Sequence, residues 1–451
     1  MLEYVILLPS MILHSAVNHR GRFQEQTVTM TAQIAPPSSI QKSRQRQLKF
    51  ELILSKAAAL FNWQGSRATT LSDVAGSIGL TKTCLYYYVD NKQDLVYQCY
   101  VASCENCLDK AFKASLHSGS GRDKLAAMIT AHLRHYAASL RNEAPHYAML
   151  AETSSLDPLY RQDIDQRIKR IFRSCKAIVE DGISDGSIAC RDTSVITMAV
   201  FSIVQWFPVW LHKNHAVNID YVVEMVLDII FNGLFSEPYQ HIDRENRFIR
   251  ASRRSCTPEQ GDGFNKREAF FRVGSSFFNQ KGYRGTSLDE IASALAVTKG
   301  SFYYHIKSKE ELLYQCFVRT LDVEAELLSA VQAEELCGAK KLEQALFGLV
   351  NVQIDAQGPL IRYRLLPSLK QQHRKQVLKA SKKNANILGD FIRLGLQDGT
   401  LFSVDSSIAQ HILGGVIEAA PDLLEAISFI NEWDILEEYL SLFINGLSTK
   451  S

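Results

Sequence analysis

Apolar residues recur along most of this chain at helical spacing. "LKFELILSKAAALF" sets Leu48, Leu52, Ile53, Ser55, Lys56 and Leu60 around a 3.6-residue repeat with one apolar stripe, and "FNKREAFFRVGSSFF" from Phe264 does the same. Each run stops at a glycine, Gly65 or Gly282, where a helix C-cap is expected. Thr70 or Ser287 follows, with Asp73 or Glu290 three residues later, the pattern of an N-cap and its reciprocal acid. "LSDVAGSIGL" and "SLDEIASALAV" predict short helices with Leu71, Val74, Ala75 and Ile78, or their counterparts, inward. Thr81 and Thr298 are the natural caps of a third helix. Three short helices, the third opening on Thr-Lys, describe a helix-turn-helix, and the pattern describes one twice.

The doubling extends well beyond these helices. "TKTCLYYYVDNKQDLVYQC" from Thr81 and "TKGSFYYHIKSKEELLYQC" from Thr298 are related by a constant offset of 217, which also aligns Phe61 with Phe278, Gly65 with Gly282 and Ala75 with Ala292. Farther on the offset is 213: Asp185-Gly186 meets Asp398-Gly399, Pro208 meets Pro421, and "FNGL" from Phe231 meets "INGL" from Ile444. A net change of four residues in a loop accounts for the shift. The expected organisation is a disordered leader over 1–41, a helix-turn-helix domain over 42–100 and a helical body over 101–236. After a polar, breaker-rich linker over 237–263, a second helix-turn-helix domain (264–317) and a second body (318–451) repeat the pattern.

Charge sharpens this. The chain has 451 residues, 46% hydrophobic and 22% charged, as in soluble globular proteins of two or more domains. Its net charge of +2 hides an uneven distribution: residues 42–92 and 264–309 each carry eight Lys/Arg against three Asp/Glu, which leaves the remainder of the chain at −8. Basic charge gathered in both copies of one small device fits surfaces that meet a polyanion. Nine scattered cysteines and the absence of a secretory pattern predict a reducing, cytoplasmic setting. The apolar start "MLEYVILLPSMIL" is broken by Pro9 and too short to span a bilayer, and Met11 and Met30 leave the true start open.

Leu85 and Val89, with Phe302 and Ile306, sit four apart and can anchor the third helix to a core, leaving polar tips outside to enter a major groove. "TSLDEIASALAVTKGSFYYHIKSKEELL" closely resembles the DNA-binding domain of the TetR/AcrR family of transcriptional regulators, and "TTLSDVAGSIGLTKTCLYYYVDNKQDLV" resembles a more diverged version. The resemblance implies an all-α fold, each half with a DNA-binding head and a body that dimerises and holds a small ligand. It implies that Lys82, Thr83 and Tyr86, with Lys299, Gly300 and Tyr303, face bases. It implies phosphate contacts from Thr70, Tyr87, Tyr88 and Lys92, and from Ser287, Tyr304, His305 and Lys309. The first copy departs from the family at Thr83-Cys84, where a small Gly-Ser or Gly-Thr pair is usual, and has Asp90 where the second has Lys307.

Two heads in one chain suggest an intramolecular pseudo-dimer that binds a double-stranded operator as one chain, the second head acting at high effective concentration on an imperfect palindrome. The expected seam pairs 192–212 and 219–235 with 405–427 and 432–447. For a small-molecule effector, Trp206, Trp210 and His212 around Pro208, and Arg134, His135, Arg362 and Arg364, are candidates to meet an apolar or acyl-type acidic ligand; the alternative for each is an aromatic core or a solvated arginine. Cys104-x-x-Cys107 is too small a set for a closed zinc site, and the sequence carries no catalytic constellation and implies no cofactor. Against the reading as a ligand-responsive regulator, most simply a repressor, stand a DNA-binding architectural protein whose bodies only assemble and, remotely, an all-helical enzyme.

Overall fold

A computed structural model describes residues 37–66, 69–150, 153, 156–211, 218–236, 262–354, 359–426 and 432–447. The expected leader and linker lie outside the described residues except at their inner ends, where 37–41 and 262–263 are already helical. The first half runs through α1 (Pro37–Gln64), α2 (Leu71–Ser77), α3 (Lys82–Leu85), α4 (Lys92–Ser115), α5 (Gly121–Leu140), α6 (Pro158–Ser184), α7 (Thr193–Trp210) and α8 (Ile219–Asn232). The second repeats it as α9 (Asp262–Gly285), α10 (Leu288–Ala294), α11 (Lys299–His305), α12 (Lys309–Gln332), α13 (Gly338–Ile354), α14 (Gln371–Gln397), α15 (Ser406–Ala426) and α16 (Glu432–Asn445). Among the described residues no helix is long and apolar enough to cross a membrane.

Local chemistry sets these boundaries. Thr70 and Asp73 form a full capping box, the Thr70 N–H donating to the Asp73 carboxylate at 2.7 Å and the Asp73 N–H to Thr70 Oγ1 at 3.1 Å. Ser287 caps α10 through the Asp289 N–H at 3.2 Å. Gly65 and Gly282 take φ of +85° and +69°, so the first helix of each head breaks there. One expectation needs correction: Leu48 and Leu52 are exposed, and α1 buries Ile53, Ala57, Ala58 and Phe61 instead. Residues 44–49 are exposed throughout, because α1 is longer than the layer it packs against.

The halves share more geometry than letters. Gly121 faces Gly182 and Gly338 faces Gly395 so closely that a Cβ would lie 2.1 and 2.0 Å from the opposing backbone nitrogen. The aspartates of the two Asp-Gly turns, Asp185 and Asp398, accept from the Gly121 and Gly338 N–H groups, both at 2.7 Å. Tyr97 stacks on Tyr160 with centroids 4.3 Å apart, and Tyr314 stacks on His373 at 4.0 Å. Asn62 donates to the Tyr147 carbonyl and accepts from the Met149 N–H, both at 2.8 Å. Its counterpart Asn279 makes the same pair with Leu360 and Arg362, at 2.8 and 3.0 Å. Each asparagine latches a head to the loop after α5 or α13. Its position obeys the 217 offset and its partners obey 213, so the four-residue difference falls in that loop.

The last two helices of each half form the seam, with α7 and α8 against α15 and α16. Its backbone contacts are reciprocal. Leu234 N–H donates to Phe443 O at 2.9 Å and Leu447 N–H to Ile230 O at 3.0 Å; Ala189 N–H donates to Leu447 O at 2.8 Å and Phe402 N–H to Leu234 O at 2.9 Å. Each bond is the image of its partner under the 213 offset, which is the signature of a quasi-twofold interface. The doubled Asn-Gly-Leu explains itself here: Gly233 and Gly446 hold φ near +75°, and a Cβ on either would lie within 2.4 Å of a carbonyl oxygen across the seam. The side chains are less symmetric. Trp206 packs against Gly415, where a Cβ would stand 2.5 Å from the indole Cγ, and Trp210 stacks on His411 at 5.4 Å.

Candidate nucleic-acid interface

Each head presents its third helix by the same anchor. Leu85 and Val89, or Phe302 and Ile306, are fully buried. The segment then has a fixed rotation, and the two residues after the first anchor, Tyr86 and Tyr87 or Tyr303 and Tyr304, point outward. Tyr87 and Tyr304 are 73% and 75% exposed, Tyr86 and Tyr303 49% and 43%. Thr70, Thr83, Lys82, Ser287, Lys299 and Gly300 are exposed as well. A tyrosine left three-quarters in water beside lysines is a poor core residue and a good hydrogen-bonding and stacking group for a polyanion.

The remaining candidates are partly engaged inside the protein. Tyr88 is half-buried and stacks parallel on Phe50, centroids 6.3 Å apart. His305 is half-buried against Phe270 at 5.7 Å. Lys309 donates to the Thr286 carbonyl at 3.0 Å, with its ammonium 4.8 Å from the Tyr283 ring centroid. Lys92, its counterpart, is half-buried at the start of α4; the Asp73 carboxyl is held below its ordinary value chiefly by the Thr70 hydrogen bonds, with a smaller contribution from the Lys92 charge. Gly300 has no internal reason to be glycine, since a Cβ there would meet nothing within 4 Å.

Three contacts at this surface were not singled out from sequence. Arg46 donates to the Tyr87 carbonyl at 3.1 Å. The Thr81 hydroxyl donates to Cys84 Sγ at 3.2 Å and holds that thiol below its ordinary value. Asp289 pairs with Lys299 at 2.5 Å. Only the last left a trace in the sequence, as an acid inside an otherwise basic device.

Of the ligand candidates, Trp206, Trp210 and Arg362 lie away from the enclosed space of the first body, and Arg134 borders an open groove. The enclosed space in the first body is lined by Cys107, Met128, His132, Cys175, Thr197 and Gln205 among others, and its volume of ≈10 Å³ has room for about one water. Burial pushes the His132 imidazole well below its usual range, which favours the neutral form. Trp206 and Trp210 do not line this space; both are used at the seam, where a glycine pair leaves the room an indole fills. Arg134 lies at an open groove on the outside of α5 and pairs with Asp220 at 2.8 Å. Arg362 is buried and donates to the Glu418 carbonyl at 2.8 Å, a structural contact. His212 lies outside the described residues. Burial raises the Cys99 and Cys104 thiols and pushes Cys107 up to about 11, which disfavours thiolates in that stretch.

The heads match the description "Bacterial regulatory proteins, tetR family" twice, at residues 53–99 and 272–316, and residues 118–234 match "Tetracyclin repressor-like, C-terminal domain". The chain belongs to the TetR family. It is a tandem duplication within that family, and the family's members are DNA-binding transcriptional regulators. Among curated relatives, the HTH-type transcriptional repressor KstR2 of Rhodococcus jostii (strain RHA1) is 24% identical over 210 residues, 45% of this chain and 98% of the relative. Among solved structures, the TetR-family regulator PfmR from Thermus thermophilus is 22% identical, covering 39% of this chain and 96% of its own, with a TM-score of 0.33. AibR in complex with isovaleryl coenzyme A and operator DNA is 21% identical, covering 40% of this chain and 99% of its own, also at 0.33.

Proposed function

We propose that this TetR-family regulator reads an imperfect palindrome as a single chain, one half-site per head, and represses transcription there. The observation that carries this reading is the reciprocal seam. It supports a quasi-twofold relation between the two bodies, of the kind a homodimer has between two chains, on which the heads would be carried as a pair. The base-facing sets differ, Lys82, Thr83 and Tyr86 against Lys299, Gly300 and Tyr303, so the half-sites should be unlike. The KstR2 relative supports repression as the sign of the effect. Release by a small apolar or acyl-type ligand would use the first body, whose lining is apolar with a few polar atoms from His132, Thr197 and Gln205. Such a ligand has to open a space that is nearly closed. That closure favours a second reading, in which the bodies serve assembly and take no ligand.

The test is the mass of the operator complex. Duplexes retained by the purified chain are identified by sequencing, and the complex is weighed by light scattering at limiting protein. One chain per duplex is expected, and two chains with no single-chain complex would sink the proposal. Acyl-CoA thioesters of graded length are then added to the same complex: release supports the ligand-responsive reading, and indifference across the series supports assembly alone.

A further inference from the structure

Asp289 stands at the second position of α10, ten residues before Lys299. Its carboxylate meets Lys299 Nζ at 2.5 Å and accepts from the Tyr303 hydroxyl at 3.4 Å. Two of the three residues expected to face bases in the second head are therefore tied to one acid on the preceding helix. Under the 217 offset the corresponding residue of the first head is Ser72, which carries no charge. There the Lys82 ammonium lies 5.9 Å from the Tyr86 ring centroid instead.

Both partners of the ion pair are exposed, with 68% of the Lys299 side chain and 45% of the Asp289 side chain open to solvent. Exposed pairs of this kind contribute little to folding. A place in the first turn of α10 suits an acid, but that role does not require the carboxylate to reach Lys299 and Tyr303. What the acid does achieve is positional. A flexible lysine and a tyrosine are held in one arrangement, and a negative charge stands beside the lysine. An ammonium has three donors; one taken by Asp289 leaves two for acceptors on a base edge. As a phosphate contact the same lysine would bring Asp289 toward the phosphate, and the two anions repel.

We infer that Asp289 is a specificity-determining residue of the second head, which directs Lys299 and Tyr303 toward base edges and keeps that lysine from acting as a general phosphate contact. The inference rests on the two-headed reading above. It makes the heads different in kind: the second reads through a tethered lysine, the first through an untethered one.

The full-length chain, its Asp289→Ser variant and its Ser72→Asp variant are each used to select duplexes from a randomised pool, and binding to the wild-type site and to mixed-sequence DNA is followed across salt concentrations. Circular dichroism melts confirm that both variants fold. In Asp289→Ser the second half-site should lose its base preferences while the first keeps its own. Affinity for mixed-sequence DNA should rise about 3–10-fold, with a salt slope steeper by about one counterion. Ser72→Asp should alter only the first half-site. Unchanged base preferences and salt slope in Asp289→Ser, on a paired site still selected by the wild-type chain, would overturn the role of Asp289 alone. If the wild-type chain selects no paired site, the two-headed reading falls, and this inference with it.

Discussion

The two heads share a fold but are joined to the rest of the molecule differently. In the first, Ile53, Leu71, Leu85 and Val89 belong to one apolar core that continues through both bodies to Phe443. In the second, Phe270, Phe278, Phe302 and Ile306 close a separate core with Ile361, Leu365 and Leu369. Tyr363 packs on both cores and marks the junction. The polar groups around it are all replacements. Tyr363, Glu324, Ser381, Asn384 and Glu418 stand where the first half has Leu150, Cys107, Ile168, Ile171 and Gln205. Asn384 donates to the Leu321 carbonyl at 3.0 Å and to Glu324 at 3.3 Å, Arg362 donates to the Glu418 carbonyl, and the Tyr363 N–H donates to the Glu418 carboxylate at 3.1 Å. Apolar contacts gain from expelling water, whereas hydrogen bonds largely exchange one polar partner for another and net about 1 kcal/mol each. The first head thus shares one apolar core with the body, whereas the second meets it across a junction that includes buried, hydrogen-bonded polar groups.

The largest effect that would break this comparison is on cooperativity. Phe302→Ala removes a fully buried ring and should cost about 3–5 kcal/mol, but only in a separate low-temperature transition assigned to the second head. Leu85→Ala, at about 3 kcal/mol, should instead lower the main transition. Calorimetry of the full chain decides; a single transition lowered equally by both variants would show that the heads are joined alike.

A smaller effect follows from Glu324, whose carboxyl is pushed up to about 7 by burial and only partly restored by Asn384. The folded state favours the neutral acid, so the folded chain binds a proton that the unfolded chain has lost between about pH 4.5 and 7. Stability of the second half is therefore expected to fall as pH rises through that window and to level off above it. Glu324→Gln should recover about 1–3 kcal/mol at pH 8 and almost nothing at pH 5, read by urea melts at the two pH values. The same gain at both would remove ionisation from the account.

The smallest effect concerns the latches. Asn62→Ala and Asn279→Ala each delete two hydrogen bonds and should cost about 1–2 kcal/mol. Amide exchange should then rise across the whole second head for Asn279→Ala, but only near Tyr147 and Met149 for Asn62→Ala. Matching exchange patterns would mean that the polar junction adds no freedom of its own.

Most of the framework was legible in the residues themselves. The duplication, the capped third helices anchored by Leu85 and Phe302, and the four seam helices required only short-range spacing and one offset. The Asp-Gly and Asn-Gly-Leu matches were visible too, although their purpose was not. Asp185 and Asp398 cap a neighbouring helix, and Gly233 and Gly446 admit a stretch of backbone from the other half. Where the tryptophans among the ligand candidates sit could not be read from the residues around them. A tryptophan cluster reads the same whether it lines a pocket or fills a seam, and what distinguishes the two is Gly415, more than two hundred residues from Trp206.

By itself the sequence determined the helices, their ends and the fact that they occur twice, because caps, glycine stops and i to i+4 apolar spacing act between residues a turn apart. Tertiary structure alone decided which tryptophan meets which glycine, which glutamate is partly withdrawn from water, and which lysine faces an acid. Those are properties of surfaces brought together by folding, and their energies depend on distance and solvent exclusion that no local stretch of chain specifies.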